Sequence, residues 1–87
     1  MDKAQKTETI KEFAQHEGDV GSSEVQIAVL TRRIQHLTAH LKQHPGDNST
    51  RRSLIAKVNR RRRLLSYLRK RNHDSYMDIV KRLALRH

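Results

Sequence analysis

The sequence contains no cysteine and no tryptophan, one proline, three glycines, one phenylalanine and two tyrosines. The lack of cysteine excludes a disulfide framework, a thiolate metal site and a thiol nucleophile, and it fits a reducing compartment. No apolar run approaches the ~20 residues of a membrane span, so no membrane partner is expected. The opening Met1-Asp2-Lys3-Ala4-Gln5-Lys6 lacks the apolar core of a signal peptide. Gly-rich phosphate loops, Ser/His/Asp spacings and paired catalytic carboxylates are also missing. No enzyme and no cofactor are therefore expected.

What is present is positive charge. The 87 residues carry 19 Lys+Arg against 9 Asp+Glu, a formal net charge of +10. Length allows one domain over residues 1–87, with a thin core. Leu, Ile, Val and Phe together make up about 23% of the chain, just above the ~20% below which high charge goes with disorder. Residues 1–48 hold six basic and seven acidic side chains, and residues 49–87 hold thirteen basic and two acidic. Charge of one sign at this density calls for an anionic partner, and nucleic acid is the first choice.

Four amphipathic stretches predict an all-α protein. The first helix spans Lys3–His16, with an apolar side of only Ala4, Ile10, Phe13 and Ala14. That small side makes it the most loosely docked, more mobile element, hung on a loop punctuated by Gly18 and Gly21. A second helix starts at Ser23, where Ser23 and Gln26 have the spacing of a capping box. Its stripe is Ile27, Leu30, Ile34, Leu37 and Leu41, and Pro45-Gly46 ends it near Gln43 or His44. A third opens within Asp47–Thr50 and ends near Asn72, with a stripe of Leu54, Val58, Leu65 and Leu68. Asp74 or Ser75 caps a fourth, whose inner face is Tyr76, Ile79, Val80 and Leu83. Short connections favour antiparallel packing, with helices two and three as a long hairpin.

On a wheel of about 100° per residue with Arg60 at zero, the leucines and Val58 of helix three fall between about 80° and 160°. Arg52, Arg63, Tyr67, Lys70 and Arg71 fall between about 280° and 20°. The basic side chains thus oppose the core, and Tyr67 is the aromatic among them. An aromatic between cations suits stacking on an unpaired base. Arg61 lands near 100°, inside the apolar stripe, and is expected to run its aliphatic stem to an edge. His36, His40 and His44 recur one turn apart on helix two, but no third ligand type accompanies them, so no metal site is expected.

Gly21-Ser22-Ser23-Glu24-Val25-Gln26 entering a helix, then His40, Asp47 and Thr50-Arg51-Arg52, form two blocks of a known pattern. Arg62-Arg63-Leu64-Leu65-Ser66-Tyr67-Leu68, and Tyr76, Ile79, Leu83 and Leu85-Arg86, form two more. In order and spacing, over nearly the whole chain, they resemble the family of bacterial small-subunit ribosomal protein fifteen. The resemblance implies a three-helix bundle with a more mobile N-terminal helix. It implies direct binding to the central domain of small-subunit ribosomal RNA. Gly21, Ser22, Ser23, Gln26, Arg63, Tyr67 and Lys70 would face a three-way junction. His40, Asp47 and Thr50 would address the minor groove of a nearby irregular stem. Arg52, Arg60 and Arg71 complete the expected RNA-binding set. Further implied partners are neighbouring platform ribosomal proteins, large-subunit ribosomal RNA across the subunit interface and, in some members, the protein's own messenger RNA. No homo-oligomer is expected, and the location is the ribosome, cytoplasmic or organellar.

The chain departs from the family at Val20, where a Thr is usual, and at Asn48 and Ser49, where histidines are usual. Ser53 and Ala84 replace usual glycines. A DNA-binding or nucleoid-associated protein would share the basic helix. It is disfavoured because no short turn joins two helices ahead of a recognition helix. A metal-dependent enzyme is a third, remote alternative.

Overall fold

The computed structural model describes residues 3–19 and 21–85; Val20 and Arg86, which enter the family pattern, lie outside them. The helices are α1 (Lys3–Phe13), α2 (Ser23–Gln43), α3 (Asn48–Arg71) and α4 (His73–Leu83), with no strand among the described residues. No helix among them is long and apolar enough to cross a membrane.

α2 and α3 pack as the expected hairpin, and the core gathers at one end of it. Val25, Ile27 and Ala28 of α2 meet Leu68 of α3 there, closed over by Tyr76, Ile79, Val80 and Leu83 of α4 and by Phe13 of α1. The expected inner face of α4 is buried throughout. The long stripes of the hairpin are only partly covered. Ile34, Leu37 and Leu41 on α2 and Leu54, Val58 and Leu65 on α3 are half-buried. Leu65 still packs against the core cluster, and beyond the reach of α1 and α4 each stripe has a single neighbouring helix. Ile55, at 55% exposure, stands outside the stripe altogether.

α1 stops at Phe13, three residues short of the expected His16. The side-chain amide of Gln15 donates to the Phe13 carbonyl and satisfies one of the carbonyls left open at the helix end. Ala4 is exposed and Ile10 half-buried, but Phe13 is 1% exposed. Arg82 of α4 clamps this end. Its guanidinium lies 4.2 Å from the Phe13 ring centroid and donates to the Glu12 carbonyl at 3.1 Å. The C-terminal end of α1 is therefore anchored in the core despite its small apolar side.

Helix boundaries elsewhere differ by small steps with identifiable causes. Asn72 both ends α3, its N–H donating to Leu68, and caps α4, its Oδ1 accepting from Ser75 N–H. The cap of α4 is thus Asn72, in place of Asp74 or Ser75. α4 ends in a Schellman pair, Leu85 N–H to Val80 O at 2.9 Å and Ala84 N–H to Lys81 O at 3.3 Å. This closure holds Ala84 in the left-handed region, φ 53°, where a Cβ is unfavourable. The glycine that the family resemblance leads one to expect at this position has a plain steric rationale.

Arg61 lies within the stripe where the wheel puts it, but in place of simply running to an edge its head turns to a buried partner on α2. Arg61 is half-buried, its Nη1 donates to Thr31 Oγ1 at 3.2 Å, and Thr31 in turn donates to the Ile27 carbonyl. Burial lowers the Arg61 pKa, yet a guanidinium remains charged.

Candidate nucleic-acid interface

The start of α2 is organised by a side chain that composition alone does not single out. Asp19 is 6% exposed. One carboxylate oxygen accepts from the amides of Gly21 (3.1 Å) and Ser22 (2.9 Å), and the other accepts from the amide of Gln15 (2.9 Å). These bonds, led by the one from the Gln15 amide, hold the carboxyl well below the usual carboxylate range. The chain reversal that brings them together uses Gly18 at φ +79°.

With Gly21 and Ser22 fixed in this way, the helix cap falls on Ser22 rather than on Ser23. The Ser22 hydroxyl accepts from Val25 N–H at 3.3 Å. The expected capping box between Ser23 and Gln26 does not form. Ser23 is the first residue of the helix, and its hydroxyl has no hydrogen-bond partner among the described residues. Gln26 instead donates through Nε2 to the Gly21 carbonyl at 2.7 Å, while its Oε1 accepts from Arg60 Nη2 at 3.3 Å.

Gly21, Gln26 and Arg60 therefore meet, in a shallow groove of about 360 Å³ between α1, α2 and α3. Lys6 and Arg33 line it too, outside the set expected from the sequence. Arg33 was within reach, because it lies seven residues, two helical turns, beyond Gln26 on the same face. Lys6 was not, because its place depends on how α1 docks. A Cβ at Gly21 would meet no atom of the described chain within 4 Å. The protein's own packing gives no reason for a glycine there.

The rest of the basic face of α3 lies opposite the core, as the helical wheel predicts. Arg52, Arg63, Tyr67, Lys70 and Arg71 are all exposed, Tyr67 at 51%. Arg71 donates to the Tyr67 hydroxyl at 3.1 Å, with its guanidinium 5.9 Å from the ring centroid. Arg60 to Arg71 spans about 16 Å of helix.

A second polar cluster forms at the hairpin tip, where Asp47 caps α3. Its carboxylate accepts from the Thr50 hydroxyl at 2.6 Å and the Thr50 amide at 3.0 Å. Nε2 of His40 lies 3.0 Å from the same carboxylate, which couples α2 to the tip. These partners, the Thr50 hydroxyl foremost, lower the Asp47 pKa to about 2. The His40 and His44 rings lie 4.8 Å apart. No group of three or more potential metal-ligating His, Cys, Asp or Glu is gathered among the described residues.

Thus the expected set divides into three places. Gly21, Ser22, Ser23, Gln26 and Arg60 lie at the α2 start, and Arg63, Tyr67, Lys70 and Arg71 along the end of α3. His40, Asp47 and Thr50 form the tip, with Arg52 exposed half a turn beyond Thr50.

A small all-α fold with one basic helical face and a polar tip has the form of a helical nucleic-acid-binding protein. Comparison with known proteins sharpens this. The family model "Ribosomal protein S15" matches residues 6–86. Small ribosomal subunit protein uS15 of Micrococcus luteus is 55% identical over 86 residues, covering 99% of this chain and 97% of that protein. The protein of the same name from Kocuria rhizophila is 56% identical over the same coverage. That of Clostridium botulinum is 52% identical, covering 99% of each chain. The chain belongs to the ribosomal protein S15 family.

Proposed function

We propose that this protein is a structural, non-enzymatic constituent of the small ribosomal subunit that binds its ribosomal RNA directly, through one domain. The observation that carries the reading is the exposed basic face of α3, Arg60 to Arg71, running into the groove of Gly21, Gln26, Arg33 and Lys6. Its relatives named as small ribosomal subunit proteins support the same reading. Gly21 adds to it: a glycine with open space where a Cβ would point suits close approach by an external backbone or base.

Within this reading the α2 start and Arg63, Tyr67 and Lys70 hold a three-way RNA junction. Arg52, Arg60 and Arg71 take phosphates. The tip presents His40, Asp47 and Thr50 to a wide, shallow RNA minor groove, which short polar side chains can enter. The protein raises the population of one RNA arrangement by binding it better than the open one. It favours assembly with neighbouring platform proteins, touches large-subunit RNA, acts in the cytoplasm within the ribosome, and is able to bind its own messenger.

The test is a titration of transcribed small-subunit ribosomal RNA against duplex DNA of equal length over a salt series. Neutralising about six phosphates gives a log K–log salt slope of several units, and the RNA is preferred. Gly21→Ala leaves melting unchanged and weakens the RNA complex. A slope near zero, or equal affinity for the DNA, overturns the reading, the latter in favour of a DNA-binding protein.

A further inference from the structure

We propose that Asp19, an anion set beneath an RNA-facing surface, is the positioning residue that gives this surface its selectivity. The inference rests on the ribosomal-RNA reading above and adds a residue that none of the expected contacts includes.

Three amides, four residues before Asp19 and two and three after it, converge on one nearly buried carboxylate. A flexible loop of this length would leave those amides to water. Here they fix the path of the chain from the end of α1 to the first turn of α2. The consequence reaches beyond the loop. The position of the Gly21 carbonyl fixes the Gln26 amide group, which donates to it, and the other end of that amide receives Arg60. Asp19 thus sets the relative placement of a loop backbone, an α2 side chain and an α3 cation without itself facing the ligand.

The Gly21 and Ser22 amides, bound to a carboxylate, are not available to hold a phosphate. The start of α2 presents shape, the Ser23 hydroxyl and the open face of Gly21 instead. Phosphate attraction comes from Lys6, Arg33 and Arg60 around it. Division of labour of this kind separates affinity, which is electrostatic and indifferent to sequence, from selectivity, which depends on placement.

Charge and placement predict opposite signs for removal of Asp19. Neutralising a carboxylate on the RNA side of a cationic protein strengthens binding to any polyanion. Loss of placement weakens binding only to the RNA whose shape the surface fits. The experiment compares the whole protein with Asp19→Asn and Asp19→Ala, using transcribed small-subunit ribosomal RNA and duplex DNA of equal length, well below each melting temperature. Amide hydrogen exchange of Gly21 and Ser22 is followed in the wild type. The expected result is protected amides, ribosomal-RNA affinity reduced by about tenfold in Asp19→Ala, and duplex affinity unchanged or raised. Asp19→Asn falls between, because its one carbonyl oxygen still accepts from Gly21 and Ser22. Equal or tighter ribosomal-RNA binding by both variants overturns the proposal, as do unprotected amides. A parallel loss of affinity for both nucleic acids, or failure of both variants to fold, makes Asp19 a folding residue and equally overturns it. If the wild type shows no preference for ribosomal RNA, the functional reading fails first, and that outcome is distinct from all of these.

Discussion

Replacing Tyr67 separates the two things an aromatic on this face can do. The ring is 51% exposed, and Arg71 contacts it twice, with a hydroxyl bond at 3.1 Å and a cation 5.9 Å from the ring. Both lie at the surface, where water competes for each partner. Tyr67→Ala and Tyr67→Phe should therefore change stability by no more than about 0.5 kcal/mol. At about 4–8 °C per kcal/mol for a domain of this size, that is a melting shift within roughly 2–4 °C. Binding should respond very differently. A ring stacked on an unpaired base contributes about 1–3 kcal/mol, so Tyr67→Ala weakens ribosomal-RNA binding by roughly 5- to 150-fold. Tyr67→Phe keeps the π-face and costs little. If the hydroxyl bonds a 2′-OH or phosphate instead, Phe loses about 0.5–1.5 kcal/mol of that affinity. Thermal melts followed by circular dichroism, with filter binding on the same preparations, give both numbers. A fall in melting temperature beyond about 10 °C with intact RNA affinity would falsify the placement of Tyr67 opposite the core.

Ser22→Ala should cost about 1 kcal/mol as the loss of an N-cap, while Ser23→Ala should leave the melting temperature unchanged and reduce RNA affinity; the reverse order would return the cap to Ser23. Ala84→Gly should stabilise the protein by about 1 kcal/mol by relieving a left-handed alanine, visible as a higher melting temperature, and no gain would mean the Schellman closure adapts to the Cβ. Because Asp47 has a folded pKa of about 2, below its unfolded value of about 3.9, its contribution is fully present above pH 4 and is lost as pH falls through 2. Asp47→Asn should flatten that part of the stability–pH curve, and an unchanged curve would exclude the Asp47–Thr50–His40 cluster.

What could be read from the sequence was whatever one helix determines for itself. The face of α3 that opposes its leucines, the inner face of α4 and the Pro45-Gly46 break each depend on local spacing, and each is where spacing puts it. The α2 helix starts at Ser23 as expected, but its cap was misplaced by one residue because Ser22 and Ser23 are equally good caps. The choice falls to Asp19, whose bonds to Gly21 and Ser22 are a property of the folded loop. In the same way, the α4 cap moved to Asn72 because one side chain serves two helices. Arg61 stood out as a charge within an apolar stripe, but its partner Thr31 lies 30 residues away and belongs to a different helix. The concentration of the core at one end of the hairpin, and the Arg82 clamp on Phe13, depend on where α1 and α4 dock, and no periodicity encodes that. Lys6 escaped notice for the same reason.

The thinly covered hairpin has a mechanical meaning. Between Gln26 at the groove and His40 at the tip, α2 advances about 21 Å, with α3 alongside as a second strut and α1 packed along it as far as Arg32 to His36. The two polar clusters are thus the jaws of a gauge whose opening is set by helical rise. Such a gauge cannot be lengthened smoothly. One residue added to each strut moves a jaw about 1.5 Å and turns it about 100°, away from the surface it shares with the other jaw. Steps of about seven residues, near 10.5 Å, or about eleven, near 16.5 Å, bring both jaws back to one side with a residual turn of about 20°. The span of this hairpin is therefore quantised, and whatever two surfaces it bridges must keep their spacing to match.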